Sequence, residues 1–277
     1  MRSTELDWPP VLTIAGSDSG GGAGIQADLK TFAAMHTFGT SAITAVTAQN
    51  TLEVRSALHL PPELVVEQIR AVVDDIQPRA CKTGMLANAA IVNAVADTLE
   101  SIPSLPAVID PVAFTSTGYR LLTPDALDIL VARLFAGATL ITPNLREAAA
   151  FTGVDIVNDD DMRKAAEQLL ELGAPAVLVK GGHRADNADD LFADGTTERW
   201  FRAPHIDSRA THGTGCSLSA AIAAGLAKGT PLVDAIVAAK TFVHDGIVNG
   251  YQVGAGHAPI NHFYAYDRLL RKEGSLA

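Results

Sequence analysis

Along this chain, short apolar runs alternate with stretches of helical period, and that alternation restricts the fold more than any other feature. Val11-Leu-Thr-Ile14 reads as a strand, and Ile25, Leu29, Phe32 and Ala33 then share one helical face. Strands follow at 41–48, 80–83, 106–110, 138–142 and 176–180. Between them lie helices opened by Pro61-Pro62 and at 88–99, 124–135, from Asn144 onward, and 160–172. Residues 190–211 carry short β-like runs, and two Ala-rich helices follow near 216–228 and 232–249. Such alternation predicts an α/β fold, a mainly parallel sheet with helices on both faces. Connections in that architecture are right-handed crossovers, and ligands gather at the carboxyl ends of the strands. No linker or composition break divides the chain, so one domain is expected over 1–277, with 1–10 a flexible lead-in.

Composition narrows the class. The chain is 48% hydrophobic and 19% charged, long enough to bury a core without disulfides. Its two cysteines, Cys81 and Cys216, are far apart, which favours a reducing compartment and a cytoplasmic protein. No apolar run reaches membrane-spanning length. The formal charge of −10 disfavours nonspecific nucleic-acid binding, but an acidic protein can still hold a locally positive pocket.

Four strand ends carry unusual residues and are candidates to share one cleft. The first is Gly16-Ser-Asp-Ser-Gly-Gly-Gly-Ala-Gly24, with five glycines in nine residues. Glycines between strand and helix let a backbone approach a ligand and expose amides at a helix start. Neither the Walker P-loop pattern nor the dinucleotide fingerprint is matched. The second is Thr211-His-Gly-Thr-Gly-Cys216 before a helix of small residues. The amides of Gly213, Thr214, Gly215 and Cys216 would form an anion-binding concavity suited to a transferring phosphoryl group. Thr214 as a plain N-cap and Cys216 as an inert buried thiol is the competing reading. A helix N-terminus lowers a thiol pKa, which keeps a role for Cys216 open.

The third is Thr142-Pro-Asn-Leu-Arg-Glu147. Asn144 and Glu147 match a capping box, and Glu147 equally suits a magnesium site. The fourth is Val179-Lys-Gly-Gly-His183, where Lys180 is either a phosphate contact or part of a surface turn. His183 and His212 read as polar loop residues, since no spacing partner supports a metal site. Two further segments suit a substrate pocket: Gln49-Asn50, an amide pair able to read a heteroaromatic edge, and Lys82-Thr-Gly-Met85, with a Met to pack on a flat ring.

Taken in order, these strings resemble the hydroxymethylpyrimidine/phosphomethylpyrimidine kinases of thiamin biosynthesis, within the ribokinase-like superfamily. The resemblance rests on the segments 15–28, 45–50, 82–85, 141–144, 179–183 and 211–216, and covers nearly the whole chain. It implies a three-layer ribokinase-like sandwich that transfers the γ-phosphoryl group of ATP to a pyrimidine alcohol with Mg²⁺. Residues 213–216 would be the anion hole, with Cys216 where most related sugar kinases keep an Asp base. Lys180, Gly182, Asn144 and Thr211 would lie along the nucleotide, and Glu147 and Asp110 would serve the metal, Glu147 through water. Gly16, Gln49, Met85 and Val112 would hold the pyrimidine, with Asp28 near it. A homodimer would be usual for the family. Ala113 stands where Met is usual, and Ser116 where Lys or Thr is common. Pyridoxal kinase is the close alternative, a non-catalytic sensor a remote one, and a Cys216 hydrolase lacks a His-plus-acid partner set.

Overall fold

A computed structural model describes residues 8–114, 121–182 and 187–272. The elements run β1 (Pro10–Ser17), α1 (Gly24–Ala34), β2 (Phe38–Gln49), β3 (Val54–His59), α2 (Pro62–Asp75), β4 (Ala80–Thr83), α3 (Ala89–Glu100) and β5 (Ala107–Ile109). Next come α4 (Pro124–Leu134), β6 (Leu140–Ile141), α5 (Leu145–Thr152), α6 (Asp159–Glu171), β7 (Val177–Val179), β8 (Asp190–Ala193) and β9 (Glu198–Phe201). The chain closes with α7 (Thr214–Ala227), α8 (Leu232–Val248) and α9 (Tyr264–Lys272).

All these strands form one sheet in the order β3-β2-β1-β4-β5-β6-β7-β8-β9. The six from β2 to β7 are parallel, and β3, β8 and β9 add antiparallel edges. Successive strand residues point to opposite faces, and the core is divided accordingly. Leu12, Cys81, Ile109, Ile141 and Val177 pack with α2, α3, α4, α5 and α6. Val11, Ala80, Val108, Leu140 and Leu178 face α1, α7 and α8. That is the expected three-layer α/β sandwich. Because the central strands are covered on both sides, their residues are mostly apolar, with Thr13, Lys82 and Thr83 as buried polar exceptions.

The strand order reverses at β1, which has β2 on one side and β4 on the other. A crevice therefore opens between the carboxyl ends of β1 and β4, where loops diverge to opposite faces. The helix α7 is aimed at the same end. Its small residues let it lie deep in the fold: Ser217 to Gly225 are all buried. A Cβ on Gly225 would sit 2.7 Å from that of Ala235, so glycine sets the spacing of α7 and α8.

Two elements are absent from the sequence reading. All six residues of β3 are exposed, so no apolar face marks it as a strand. The charged α9 shows no core stripe before its neighbours are known. The lead-in also differs from expectation: Pro9 and Pro10 are anchored, with Phe38 N donating to Pro9 O at 3.1 Å and β1 opening at Pro10.

Candidate active site

The glycine loop after β1 folds around its own acid. Asp18 accepts the amides of Gly20 (2.8 Å), Gly22 (3.0 Å) and Ala23 (2.8 Å), and faces His212 Nε2 at 3.1 Å. Burial pushes the Asp18 carboxyl up, but the His212 contact and the amides outweigh it and hold it below its ordinary value. One side chain thus fixes the turn and pins it to the segment leading into α7. The sequence reading passed over Asp18, although an Asp followed by three glycines is the signal of such a turn.

Gly213 is the N-cap of α7, with φ +78°, and no side chain caps this helix. That corrects the expectation of Thr214 as N-cap: Thr214 is the first helical residue, and its hydroxyl donates to Thr211 O at 3.1 Å. A Cβ at Gly213 would collide with the Gly22 carbonyl, so only glycine lets the two glycine loops touch. The amides that start α7 form a donor set at the helix end, although that of Thr214 also donates to Thr211 O at 3.4 Å.

Two lysines flank that helix end. Lys180, just past β7, reaches Asp110 Oδ1 at 2.8 Å, and a Cβ on Gly215 would lie 3.3 Å from its Nζ. Asp110, just past β5, also accepts from Thr142 (3.3 Å) and Ser219 (3.2 Å). Lys82 lies on β4 and pairs with Asp28 of α1, which also accepts from Thr13 at 2.6 Å. Asp28 is wholly buried, so it lies beneath the cleft rather than lining it. Burial pushes its carboxyl up against the opposing pull of Lys82.

Cys216 is half-buried in the first turn of α7. The helix N-terminus does not leave its thiol acidic. Burial pushes it up to about 11, with Asp28 and Asp110 adding to the rise and Lys82 and the Gly24 amide opposing it. The thiol therefore keeps its proton at neutral pH. Cys81 lies in the core, pushed up to about 12 by burial.

Asn144 and Glu147 do form the reciprocal capping box of α5, at 2.9 Å in each direction. The second oxygen of Glu147 accepts from Ala113 N at 3.0 Å. Burial, reinforced by Asp110, raises Glu147 to about 7 despite Lys180. Two buried carboxylates thus share one ammonium, an excess of negative charge that suits a hard cation arriving with a nucleotide. Among the described residues no group of three or more His, Cys, Asp or Glu gathers as a metal site.

On the other wall, Gly16 and Met85 touch so closely that a Cβ at Gly16 would meet the Met85 methyl. Gln49 ends β2 beside His212. Val112 has φ +36°, a strained value for a β-branched residue. Ala113 is fully buried among core side chains, so its departure from Met falls in the core packing. Ser116 and His183 lie outside the described residues. Gly182 and Thr211 are exposed near the cleft rim, at the ends of the Lys180 and Gly213 segments.

The family described as Phosphomethylpyrimidine kinase has a model that matches residues 18–261. The chain is 51% identical over 257 residues to the hydroxymethylpyrimidine/phosphomethylpyrimidine kinase of Streptomyces coelicolor, covering 93% of this chain and 95% of that one. Its structure resembles the ADP complex of Bacillus subtilis pyridoxal kinase (TM-score 0.88, 36% identity, 94% of this chain and 99% of that one). It also resembles phosphomethylpyrimidine kinase from Clostridium difficile 630 (TM-score 0.78, 41% identity, 86% and 99%). These neighbours share the ribokinase-like architecture anticipated from the motifs. A family match running from Asp18 in the glycine loop through both lysines and the start of α7, with half the aligned residues shared with a relative covered over 95% of its length, places this chain in the phosphomethylpyrimidine kinase family.

Proposed function

We propose that the protein transfers the γ-phosphoryl group of Mg·ATP to the hydroxymethyl group of 4-amino-5-hydroxymethyl-2-methylpyrimidine, and then phosphorylates the monophosphate to the diphosphate, in thiamin biosynthesis. The chain is a phosphotransferase, and its relatives carry both kinase activities in their name. The observation that carries the reading is the juxtaposition of the uncapped α7 N-terminus with the Lys180 ammonium. On a chain of net charge −10, this local concentration of donors suits a phosphoryl group.

The chemistry follows from the placement. Phosphoryl transfer depends mainly on alignment and charge neutralisation, with charge spread over the equatorial oxygens. The amides of Gly213, Thr214, Gly215 and Cys216 receive those oxygens, and Lys180 neutralises the departing phosphate. Asn144, Gly182 and Thr211 run along the nucleotide side. Glu147 and Asp110 are the residues that would hold Mg²⁺, Glu147 through water because both its oxygens already accept backbone amides. Bound there, the ion would neutralise phosphate charge. Gly16, Met85, Gln49 and Val112 enclose the heterocycle, and Asp28 acts on the pocket through Lys82. A protonated Cys216 contributes its amide to the anion hole and leaves the alcohol proton to the phosphoryl oxygens. In this reading residues 1–277 form one cytoplasmic kinase domain that works as a homodimer.

The test is ADP release by purified protein with Mg·ATP and, separately, hydroxymethylpyrimidine, its monophosphate, pyridoxal or ribose. Turnover on both pyrimidines supports the two-step assignment. Turnover on pyridoxal alone would move the function to vitamin B6 salvage.

A further inference from the structure

Among the described residues, His212 Nε2 has two polar neighbours, Asp18 Oδ2 at 3.1 Å and the terminal nitrogen of Gln49 at 3.4 Å. The Asp18 oxygen already accepts from Gly22 and Ala23 and is an acceptor only. His212 Nε2 must therefore carry a hydrogen, and it then faces a second N–H donor on Gln49. On the other side of Gln49, its oxygen lies 3.5 Å from Thr47 Oγ1, whose hydrogen is spent on Ser17 O at 2.7 Å. A donor thus confronts a donor, and an acceptor confronts an acceptor. Turning the carboxamide by half a turn removes both conflicts, because its O and N arms have nearly the same shape. The Gln49 oxygen then shares the single Nε2 hydrogen of His212 with Asp18 Oδ2 in a three-centre contact, and its nitrogen donates to Thr47.

We propose that His212 is a positioning residue that fixes the orientation of the Gln49 carboxamide, so that Gln49 offers the pocket an N–H donor and reads an acceptor atom on its ligand. A ring nitrogen with a free lone pair is such an atom; a ring N–H is rejected. The ring is held in place for this task. A Cβ on Gly22 would collide with His212 Cδ2, and His212 N donates to Ala258 O at 3.1 Å. Specificity is thereby relayed from the glycine loop, through Asp18 and His212, to the end of β2. The inference deepens the pyrimidine reading above and rests on it for the identity of the ligand.

Two measurements test it. The ¹⁵N shifts of the His212 ring in the intact wild-type protein, without ligand, report which nitrogen bears hydrogen. Hydrogen on Nε2 is expected, and a ring protonated on Nδ1 alone overturns the proposal. In kinetics, His212→Phe keeps a ring against Gly22 but removes the donor. It should raise KM for the pyrimidine alcohol about tenfold, as losing one hydrogen bond of about 1.4 kcal/mol would, an effect larger than any fall in kcat. His212→Gln, whose amide nitrogen reaches to a similar place, should restore most of it. In a Gln49→Ala background, His212→Phe should add no further penalty. Additive penalties, or a fall in kcat with KM unchanged, refute the positioning role. If wild type turns over no pyrimidine, the functional reading fails, while the ring shifts still decide the His212 assignment.

Discussion

Lys82 Nζ lies 3.0 and 3.1 Å from the two carboxylate oxygens of Asp28, and neither side chain reaches solvent. Each ion compensates the other in a place where a lone charge is costly. Lys82→Met should therefore destabilise the protein by about 3–5 kcal/mol, because Asp28 is left buried and unpaired. The double replacement Lys82→Met with Asp28→Leu should cost less than the single one. Urea denaturation of the three proteins checks this, and a double variant no more stable than Lys82→Met contradicts it.

Glu147 predicts a pH dependence of stability. Its carboxyl is moved from 4.5 to about 7, chiefly by burial. Between those values the folded chain holds a proton that the unfolded chain has released. Stability therefore falls as pH rises through that window, by at most about 1.4 kcal/mol per pH unit for this group. Glu147→Gln removes the proton exchange and should flatten the slope of urea midpoint against pH from 5 to 7. An unchanged slope would assign the effect to other groups.

Cys216 is held protonated by burial, its thiol pushed up to about 11. Iodoacetamide should modify it slowly at pH 7, with a rate that climbs about tenfold per pH unit toward alkaline pH, since the thiolate is the nucleophile. Cys81, with no exposed surface, should stay unmodified in the native state. Peptide mass analysis reads both sites. A rate that levels off near pH 7 would restore Cys216 as a general base.

Gly213 combines a left-handed backbone with a contact that admits no Cβ. Gly213→Ala should cost about 1–3 kcal/mol of stability, the usual range for strain at such positions. It should also lower kcat/KM about a hundredfold or more by displacing the amides proposed to receive the phosphoryl group. Melting temperature and ADP release separate the two effects. Near-wild-type turnover would show that the α7 amides are not the anion hole.

Much of the fold and of the site was legible before any coordinates. The strand and helix periods placed most elements, because apolar spacing is a local property of the chain. Glycine-rich strand ends named the loops that meet, since glycine clusters mark close backbone approach. β3 escaped because an exposed edge strand needs no apolar face, its stability coming from pairing with β2. The metal and phosphate roles given to Glu147 and Lys180 rested on residue type, while their shared environment with Asp110 arises from three different strand ends.

What the sequence determined was the class of fold, the family and the loops that meet at the candidate site, all of which depend on local residue order. Pairings such as Lys82 with Asp28, Asp18 with His212, and Gly22 with Gly213 were decided only by tertiary structure. The first two pairs lie 54 and 194 positions apart in sequence, and only the packing of sheet and helices brings them together. The high pKa of Cys216 has the same origin: a helix N-terminus is a local feature, but the burial that overrides it is imposed by every element packed around the cleft.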